Sequence, residues 1–279
     1  MTLPLLIETP LALREFLGER RPAFVPTRGG IHPGHQAMIR RAASERPLVV
    51  AGIWLDPAQA LDQATFDAWP RTIDRDCSLA GAAGADAVFA PTAATMRPAG
   101  AMTTIDPGPI AALGDGVASN LAHATMAARL LGMLRPCATY AGELDLVRLR
   151  ILERIAADLH LPGAIVPCPV ARDADGLPWA TANARLTLGQ RRTAAALPRA
   201  LMLLRDMAAT GERSCAALLA EAIALLGREP SLEVETLAIV DGRTLAPREE
   251  LQPGDYALAR IRVGGIPLHD VLQLLAPVD

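Results

Sequence analysis

Lysine is missing from this sequence, and aromatic residues are scarce. All 27 basic residues among the 279 are arginines, and phenylalanine, tryptophan and tyrosine together make up only 3% of the chain. Any phosphate or carboxylate that this protein handles therefore contacts guanidinium, imidazole, backbone N–H or a metal ion, and not an ammonium group. The core must be built from alanine, leucine, valine and isoleucine, which is feasible because 51% of the residues are apolar.

Other features are also lacking, and each excludes a class of protein. The net charge of −3 does not favour binding to nucleic acid or to an anionic membrane. The four cysteines form no C-x-x-C pair, so we expect buried thiols in a reducing compartment. No apolar run reaches about 18 residues, and the N-terminal MTLPLLIETP lacks the basic segment of a signal peptide. These observations predict a soluble, cytoplasmic protein.

Short apolar runs alternate with longer helical segments over the first part of the chain. The runs PAFVPT, LVVAGIWL, ADAVFAP, ATYAGE and AIVPCPVA are typical of strands, and segments such as GHQAMIRRAASE and DLVRLRILERIAADL are typical of helices. Because the strands are continuously apolar, we expect a parallel sheet that is covered on both faces. The alternation predicts an α/β fold with a Rossmann-like parallel sheet.

The pattern changes after the segment RDADGLPW. Two helical segments follow, at residues 187 to about 210 and 214–226, and then two strand candidates, LEVETLAIVD and DYALARIRV. The sequence therefore predicts a Rossmann-like domain over residues 1–175 and a smaller α+β domain over residues 176–279.

The segment FVPTRGGIHPGH places two of the five histidines at a glycine-rich turn. It lies where the first clear strand ends and a helix begins, and open α/β sheets bind ligands at this edge. Gly30 allows a phosphate to approach the backbone, and Pro33 suits a first helical turn. His32 and His35 would lie on one side of the helix start and donate hydrogen bonds to an anion. The pattern predicts a phosphate site; the alternative is two ordinary loop histidines.

The H-x-G-H pattern after a first strand resembles the nucleotidylyltransferase-like superfamily, and the whole chain resembles the pantothenate synthetase (pantoate–β-alanine ligase) family. VPTRGGIHPGHQAMIRRA is similar to that family's V-P-T-M-G-x-x-H-x-G-H segment, IWLDPAQ to F-V-N-P-x-Q-F, and YAGELDLVRL to F-G-E-K-D-x-Q-Q-L. IVPCPVARDADGLPWATANARL is similar to the segment that ends R-E-x-D-G-L-A-M-S-S-R-N, and RVGGIPLHDVL to the C-terminal motif. The segments follow the family's order, so the resemblance covers essentially the full length.

The resemblance implies an ATP-dependent ligase that joins a small carboxylic acid to an amine. The acid would attack the α-phosphate of ATP, with Mg²⁺, to give an acyl adenylate and pyrophosphate, and the amine would then displace AMP. The resemblance also implies a homodimer and a lid role for the small C-terminal domain.

The resemblance also assigns site residues, with roles that rest on it. His32 and His35 match the family's phosphate-binding histidines, and Asp145 matches its ribose-binding aspartate, although Asp145 could instead cap the following helix. The full set comprises His32, His35 and Arg28 in catalysis; Gly30, Gly34, Gly142, Asp145, Val166 and Thr181 at the nucleotide; Gln59, Arg148 and Asp56 at the acid; and Asp74 and Asp76 at the metal.

Some positions depart from the family pattern. A phosphate-binding lysine is replaced by Leu144, and a serine and an arginine are replaced by Ala180 and Ala182. The acid pocket would also gain Arg28, Arg148 and Asp56 in place of methionine, glutamine and asparagine. Because guanidinium groups suit anions, we expect an acid that is more anionic or more polar than pantoate.

Four alternatives stay open beside that expectation. The protein could be a genuine pantoate–β-alanine ligase, or a catalytically weak paralogue that only binds nucleotide. Arg28 could replace the missing lysine at the phosphates, or it could form an ion pair with Asp56.

Overall fold

The computed structural model describes residues 3–60 and 63–277. The chain forms two compact units. The first contains the chain up to Gly142 together with Val147–Cys168, and the second contains Glu143–Leu146 and the chain from Pro169 onward. The expected domain boundary near residue 175 falls inside the second unit by this division.

A six-stranded sheet forms the centre of the first unit. Its strands are β1 (Leu5–Ile7), β2 (Ala23–Thr27), β3 (Val49–Ile53), β4 (Ala87–Phe89), β5 (Ala138–Gly142) and β6 (Ala164–Cys168). All neighbours pair in parallel, in the order β1-β4-β3-β2-β5-β6. This confirms the predicted parallel α/β fold. The strand order changes direction between β2 and β5, which makes the carboxyl ends of these two strands the topological switch point.

Helices cover both faces of this sheet. They are α1 (Pro10–Leu17), α2 (Pro33–Glu45), α3 (Gln63–Asp67), α4 (Ile73–Ala82), α5 (Ala93–Met96), α6 (Val117–Leu134) and α7 (Leu146–Asp158). One core cluster joins α1, α6 and α7 to the sheet and a second joins α2 and α4 to it. Residues on β2 divide between the clusters, with Phe24 in the first and Val25 in the second. This two-sided burial is what the continuously apolar strands predict.

Two parts of the first unit differ from the sequence-based expectation. Sequence analysis assigned no element to the first twenty residues, where β1 and α1 lie; α1 begins after Thr9, whose side chain accepts a hydrogen bond from the Ala12 N–H. The segment HATMAARLLGML predicts a helix from His123, whereas helix α6 begins six residues earlier, at Val117. Its polar first turn resembles a loop in sequence, but the Asn120 amide donates to the carbonyls of Ala111 and Leu113 and is satisfied there.

The second unit packs helices against an antiparallel sheet, as predicted for an α+β domain. The helices are α8 (Leu188–Ala194), α9 (Ala196–Ala209) and α10 (Cys215–Leu226), and the strands are β7 (Leu232–Val240), β8 (Tyr256–Val263) and β9 (Ile266–Gln273), in the order β7-β8-β9. The first predicted helical segment is divided at Ala195. Strand β9 was missed; it pairs with β8 through a hairpin at Gly264 and Gly265, whose positive φ angles suit a tight turn.

A buried ion pair joins the beginning of this unit to β9. The two terminal guanidinium nitrogens of Arg172, Nη1 and Nη2, donate to the carboxylate of Asp270 at 2.7 and 2.9 Å. Arg172 also donates to the carbonyls of Gly176 and Val271. Asp270 is fully buried, and burial raises the pKa of its carboxyl while Arg172 opposes that rise. Arg172 therefore supplies the charge that allows an ionised group at this depth.

Two further features concern the cysteines and the apolar segments. All four cysteines are free, and Cys77, Cys168 and Cys215 are buried. In the described part of the chain, no helix has both the length and the apolar character needed to cross a membrane.

Candidate functional site

The candidate site lies where β2 ends, next to β5. These strands are hydrogen-bonded neighbours on either side of the topological switch point. The chain passes from β2 through residues 28–32 into α2, with His32 as the N-cap and Pro33 in the first turn. The first N–H groups of α2 have no partner within the helix, so this end favours an anion. The structure therefore brings the H-x-G-H segment to the position expected from the sequence.

The backbone of the loop is folded by two adjacent glycines. Gly29 and Gly30 have φ angles of 78° and 62°, a region that favours glycine. A Cβ atom on Gly29 would also lie 3.2 Å from Ile53 and 3.3 Å from the Asp76 carboxylate. The Thr27 hydroxyl donates to the Gly52 carbonyl at 2.7 Å and accepts from the Gly29 N–H at 3.2 Å. The loop is thus tied to β2 and β3.

Asp76 accepts the next two N–H groups of this loop. Its Oδ2 accepts from Gly30 and its Oδ1 from Ile31, each at 2.8 Å, and Asp76 is only 1% exposed. The Gly30 N–H thus donates to a carboxylate of the protein, at a position that the sequence associates with close approach of a phosphate to the backbone. Gly30 can still allow a close approach, and its contact with nucleotide stays a prediction.

The two histidines lie against each other at the start of α2. Their ring centroids are 3.9 Å apart, with 26° between the ring planes. Among the described residues, neither buried Nδ1 atom has a hydrogen-bond partner. Burial lowers the pKa of His32 to about 4. Burial, followed by the charges of His32 and Arg28, lowers the pKa of His35 to about 3. Both imidazoles are therefore neutral near pH 7, and each can donate one hydrogen bond.

Arg28 lies beside the histidines and against an aromatic ring. Its guanidinium carbon is 4.5 Å from the centre of the Trp69 ring, and the Trp69 indole N–H donates to the Arg28 carbonyl at 2.9 Å. Such a cation–π contact holds a guanidinium without neutralising it. Arg28 thus brings a permanent positive charge close to His35, whose pKa it helps to lower.

Asp56 and Gln59 lie in and beside a short turn after β3. Residues Pro57–Gln59 form one turn of 3₁₀ helix, and Asp56 caps it by accepting from the Ala58 N–H. The ion-pair partner of Asp56 is Arg97, at 2.8 Å, and not Arg28 as the sequence analysis considered. The Asp56 side chain is almost fully buried, and so is Gln59.

Arg148 is a buried member of a polar network around Gln59. Its guanidinium donates to Asp115 and Ser119 at 3.1 Å each, and to the Gln59 carbonyl at 3.4 Å. Ser119 also donates to the Gln59 carbonyl at 3.0 Å. Arg148 is 7% exposed, so its charge is compensated by Asp115 inside the protein. The structure brings Arg148 next to Gln59, as expected, but supplies a partner that the sequence did not indicate.

The remaining expected residues divide between the two units. Gly142 ends β5 and Val166 lies in β6, both in the first unit. Asp145 lies in a 3₁₀ turn that leads directly into α7, and Thr181 begins another 3₁₀ turn; both belong to the second unit. Gly34 is in the first turn of α2. Their contacts with nucleotide stay predictions.

The expected metal residues lie in the first turn of α4. Asp74 is exposed, whereas Asp76 is buried against the loop. Within residues 3–60 and 63–277, no group of three histidine, cysteine or acidic side chains could hold a metal ion. This arrangement is still compatible with Mg²⁺, which commonly keeps water ligands and binds through substrate phosphates.

Three residues of this site were missed by sequence analysis, namely Asp115, Ser119 and Arg97. Asp115 precedes α6, Ser119 lies in its first turn, and Arg97 follows α5. None belongs to a local motif, because each is defined by a partner far along the chain. Charge balance could have indicated Asp115 and Arg97, because a buried arginine or aspartate requires an opposite charge, but it gives no signal for the neutral Ser119.

Known proteins share the sequence pattern of this chain over nearly its whole length. A family model described as pantoate-beta-alanine ligase matches residues 6–273. The pantothenate synthetase of Acidobacterium capsulatum is 36% identical over 271 residues, which cover 96% of this chain and 90% of that protein.

Two solved structures are also similar to this chain over nearly its whole length. The crystal structure of pantothenate synthetase from Thermus thermophilus superimposes with a TM-score of 0.92 at 33% identity, covering 97% of this chain and 99% of that one. A pantoate-beta-alanine ligase from Francisella tularensis, complexed with beta-gamma ATP and beta-alanine, has a TM-score of 0.80 at 20% identity and covers 97% of this chain and 98% of its own. The latter likeness shows a shared fold.

Proposed function

This chain belongs to the pantoate–β-alanine ligase family of ATP-dependent ligases, which form AMP and pyrophosphate, and we propose that it condenses pantoate with β-alanine. The observation that carries the choice of acid is the internal pairing of the charges around Gln59. Arg148 is compensated by Asp115, and Asp56 by Arg97. Two of the three substituted positions, Arg148 and Asp56, therefore add no net charge beside Gln59, and we assign the third, Arg28, to the phosphates.

This pairing replaces our expectation of a more anionic acid. That expectation required free guanidinium groups facing the substrate. The terminal nitrogen Nη2 of Arg148 already donates to a carboxylate, a hydroxyl and a carbonyl of the protein, so this nitrogen is engaged before any substrate binds. The relationship to pantothenate synthetases at this level of identity also supports pantoate as the acid.

Adenylation supplies a leaving group for the amide bond. A carboxylate oxygen of pantoate attacks the α-phosphorus of ATP, the bond to the β-phosphate oxygen breaks, and pyrophosphate leaves. The amine of β-alanine then attacks the acyl carbon, loses a proton, and AMP leaves with the electron pair of the broken C–O bond. Positioning of the reactants and stabilisation of charge at phosphorus are the main contributions that a protein makes to such transfers.

We assign the phosphate contacts to His32, His35 and Arg28. The two neutral imidazoles can donate to phosphate oxygens at the start of α2, and Arg28 provides a permanent charge close to His35. Arg28 would then take over the role of the family lysine, whose place Leu144 occupies. Mg²⁺ would be held through the triphosphate, where it neutralises charge on the phosphates. The homodimer and the lid role of the second unit stay predictions from the resemblance.

The direct test is substrate-dependent release of pyrophosphate. With ATP, Mg²⁺ and pantoate, we expect release of pyrophosphate, and on addition of β-alanine we expect stoichiometric AMP and an amide product detected by mass spectrometry. A panel of dicarboxylic and hydroxy acids is run in parallel. Release with a dicarboxylic acid but none with pantoate would restore the expectation of a changed acid. Binding of ATP without release for any acid would indicate a nucleotide-binding paralogue.

Asp115 gives a second test of the charge argument. Replacing Asp115 with asparagine removes the carboxylate that Arg148 contacts beside Gln59, so the pocket loses a negative charge and becomes more favourable to anions. We expect the ratio of kcat/KM for a dicarboxylic acid to that for pantoate to rise about tenfold, which corresponds to roughly 1.4 kcal/mol. Asp106→Asn removes an exposed carboxylate from the loop before α6 and should leave the ratio unchanged. An unchanged ratio in Asp115→Asn would show that Arg148 does not influence the acid.

A further inference from the structure

Asp76 occupies an unusual place for an acidic residue of a helix first turn. It is buried, and each of its two oxygens accepts a backbone N–H at a distance of 2.8 Å. The donors, Gly30 and Ile31, belong to a loop that is more than forty residues earlier in the chain. Consecutive N–H groups in left-handed or turn conformations form a concave nest that binds anions. Here the nest of Gly30 and Ile31 contains an internal carboxylate.

This contact lies directly before the histidine pair. Ile31 is fully buried and precedes His32, the N-cap residue of α2, and His35 follows within the first turn of that helix. Movement of the Gly30–Ile31 backbone would therefore move His32, and with it the stacked ring of His35. The hydrogen bonds of Asp76 go to the backbone and not to either ring, so it acts on the rings through the backbone.

The loop is also shaped to receive this carboxylate. Gly29 has a positive φ, and a Cβ atom there would lie 3.3 Å from Asp76 Oδ2. A side chain at residue 29 would therefore both strain the backbone and crowd the carboxylate. The glycine pair that sequence analysis associated with phosphate approach also makes room for Asp76.

We propose that Asp76 is a positioning residue for adenylation: its carboxylate holds the Gly30–Ile31 backbone so that His32 and His35 face the triphosphate. This differs from the metal role that the sequence suggested for Asp76, because the carboxylate is buried and each of its oxygens accepts a backbone N–H group. The inference rests on the proposed function in so far as the histidine pair binds ATP.

The test compares Asp76→Asn with Asp86→Asn. Asparagine keeps one acceptor oxygen but places an amide donor against an N–H group. Asp86 is a matched control because its carboxylate also accepts a backbone N–H at 2.8 Å, that of Val49. Val49 begins β3, so this contact lies at the amino-terminal ends of the strands, whereas the candidate site lies at their carboxyl ends. We expect Asp76→Asn to lower kcat for pyrophosphate release about 10–100-fold, with a smaller change in KM for ATP, and Asp86→Asn to retain wild-type kinetics.

Two further readouts separate positioning from metal binding and from a general loss of structure. The Gly30 and Ile31 amide resonances and the imidazole resonances of both histidines should shift in Asp76→Asn and not in Asp86→Asn. The kinetic defect should not be relieved by raised Mg²⁺. Relief by Mg²⁺, or wild-type kinetics in Asp76→Asn, would overturn the proposal.

A second variant is needed in case Asp76→Asn does not fold. If Asp76→Asn does not fold, Gly29→Ala distorts the same nest without removing a buried charge. A folded Gly29→Ala enzyme with lowered kcat supports the proposal, and one with normal kcat overturns it. Binding of a non-hydrolysable ATP analogue to the wild type is measured separately, because its absence would contradict the proposed function and not the role of Asp76.

Discussion

Replacing His35 with leucine is expected to lower the rate of pyrophosphate release by about 10²–10³-fold, the usual loss when one donor to a transition-state oxyanion is removed. Leucine fills a similar volume beside His32 but donates no hydrogen bond. His35→Gln keeps an N–H donor on a side chain of comparable reach and should recover part of the rate. Initial rates with saturating ATP and pantoate provide the measurement.

The control for this variant is His160→Asn. His160 is an exposed histidine in a turn with a positive φ, which asparagine also adopts readily, and its replacement should not alter the rate. Equal rates for His35→Leu and the wild type would remove His35 from the proposed site. Proton NMR gives an independent check: with pKa values of about 4 and 3, two of the five histidines should not titrate between about pH 5 and about pH 8.

Loss of Arg172 is expected to produce the largest change in stability. Arg172→Met removes the charge that compensates Asp270, which is fully buried, and breaking a buried ion pair from one side costs about 3–5 kcal/mol. Urea denaturation of the full chain measures the loss in free energy of unfolding. Arg199→Met in the same unit removes a partner from the exposed Arg199–Glu229 pair and should cost less than about 1 kcal/mol.

The pH dependence of the Arg172→Met variant has a defined sign. Burial raises the pKa of Asp270 above its usual value, and Arg172 is the main group opposing that rise. Without Arg172 the carboxyl takes up a proton more readily in the folded than in the unfolded protein, so folding is favoured at low pH and stability falls as pH rises through the folded-state pKa. The destabilisation should therefore shrink between about pH 8 and about pH 5. The double variant Arg172→Met/Asp270→Leu should regain stability at neutral pH, and failure to do so would assign the loss to packing.

Local patterns predicted the elements that place the site. The apolar run of β2, followed by glycines and Pro33, predicted both the strand end and the start of α2, because strand burial and helix initiation depend on neighbouring residues. Strand β9 was not predicted, because its segment was matched to a family motif and its capacity to pair with β8 was not considered. The break at Ala195 is marked only by Pro198 in the first turn of α9, a position where a helix can begin, and this signal was overlooked when a single helix was predicted there.

The partners of charged residues were not predictable in the same way. The family resemblance assigned Arg148 to the acid substrate. In the structure Arg148 forms an ion pair with Asp115, which is 33 residues earlier in the chain. Asp76 was proposed as a metal ligand because the family carries acidic residues near the metal in this stretch. In the structure its oxygens accept backbone N–H groups, which every residue except proline carries, so the identities of Gly30 and Ile31 do not indicate the contact. Such contacts depend on the tertiary fold and emerge only from coordinates.

The internal carboxylate of Asp76 also bears on the thermodynamics of nucleotide association. Ordering the backbone of a flexible loop costs about 1–2 kcal/mol of conformational entropy per residue. In this protein the hydrogen bonds from Gly30 and Ile31 order the loop when the chain folds, before any nucleotide arrives. The binding energy of ATP is then not consumed in organising the loop, and more of it remains for holding the α-phosphate in line with the incoming acid.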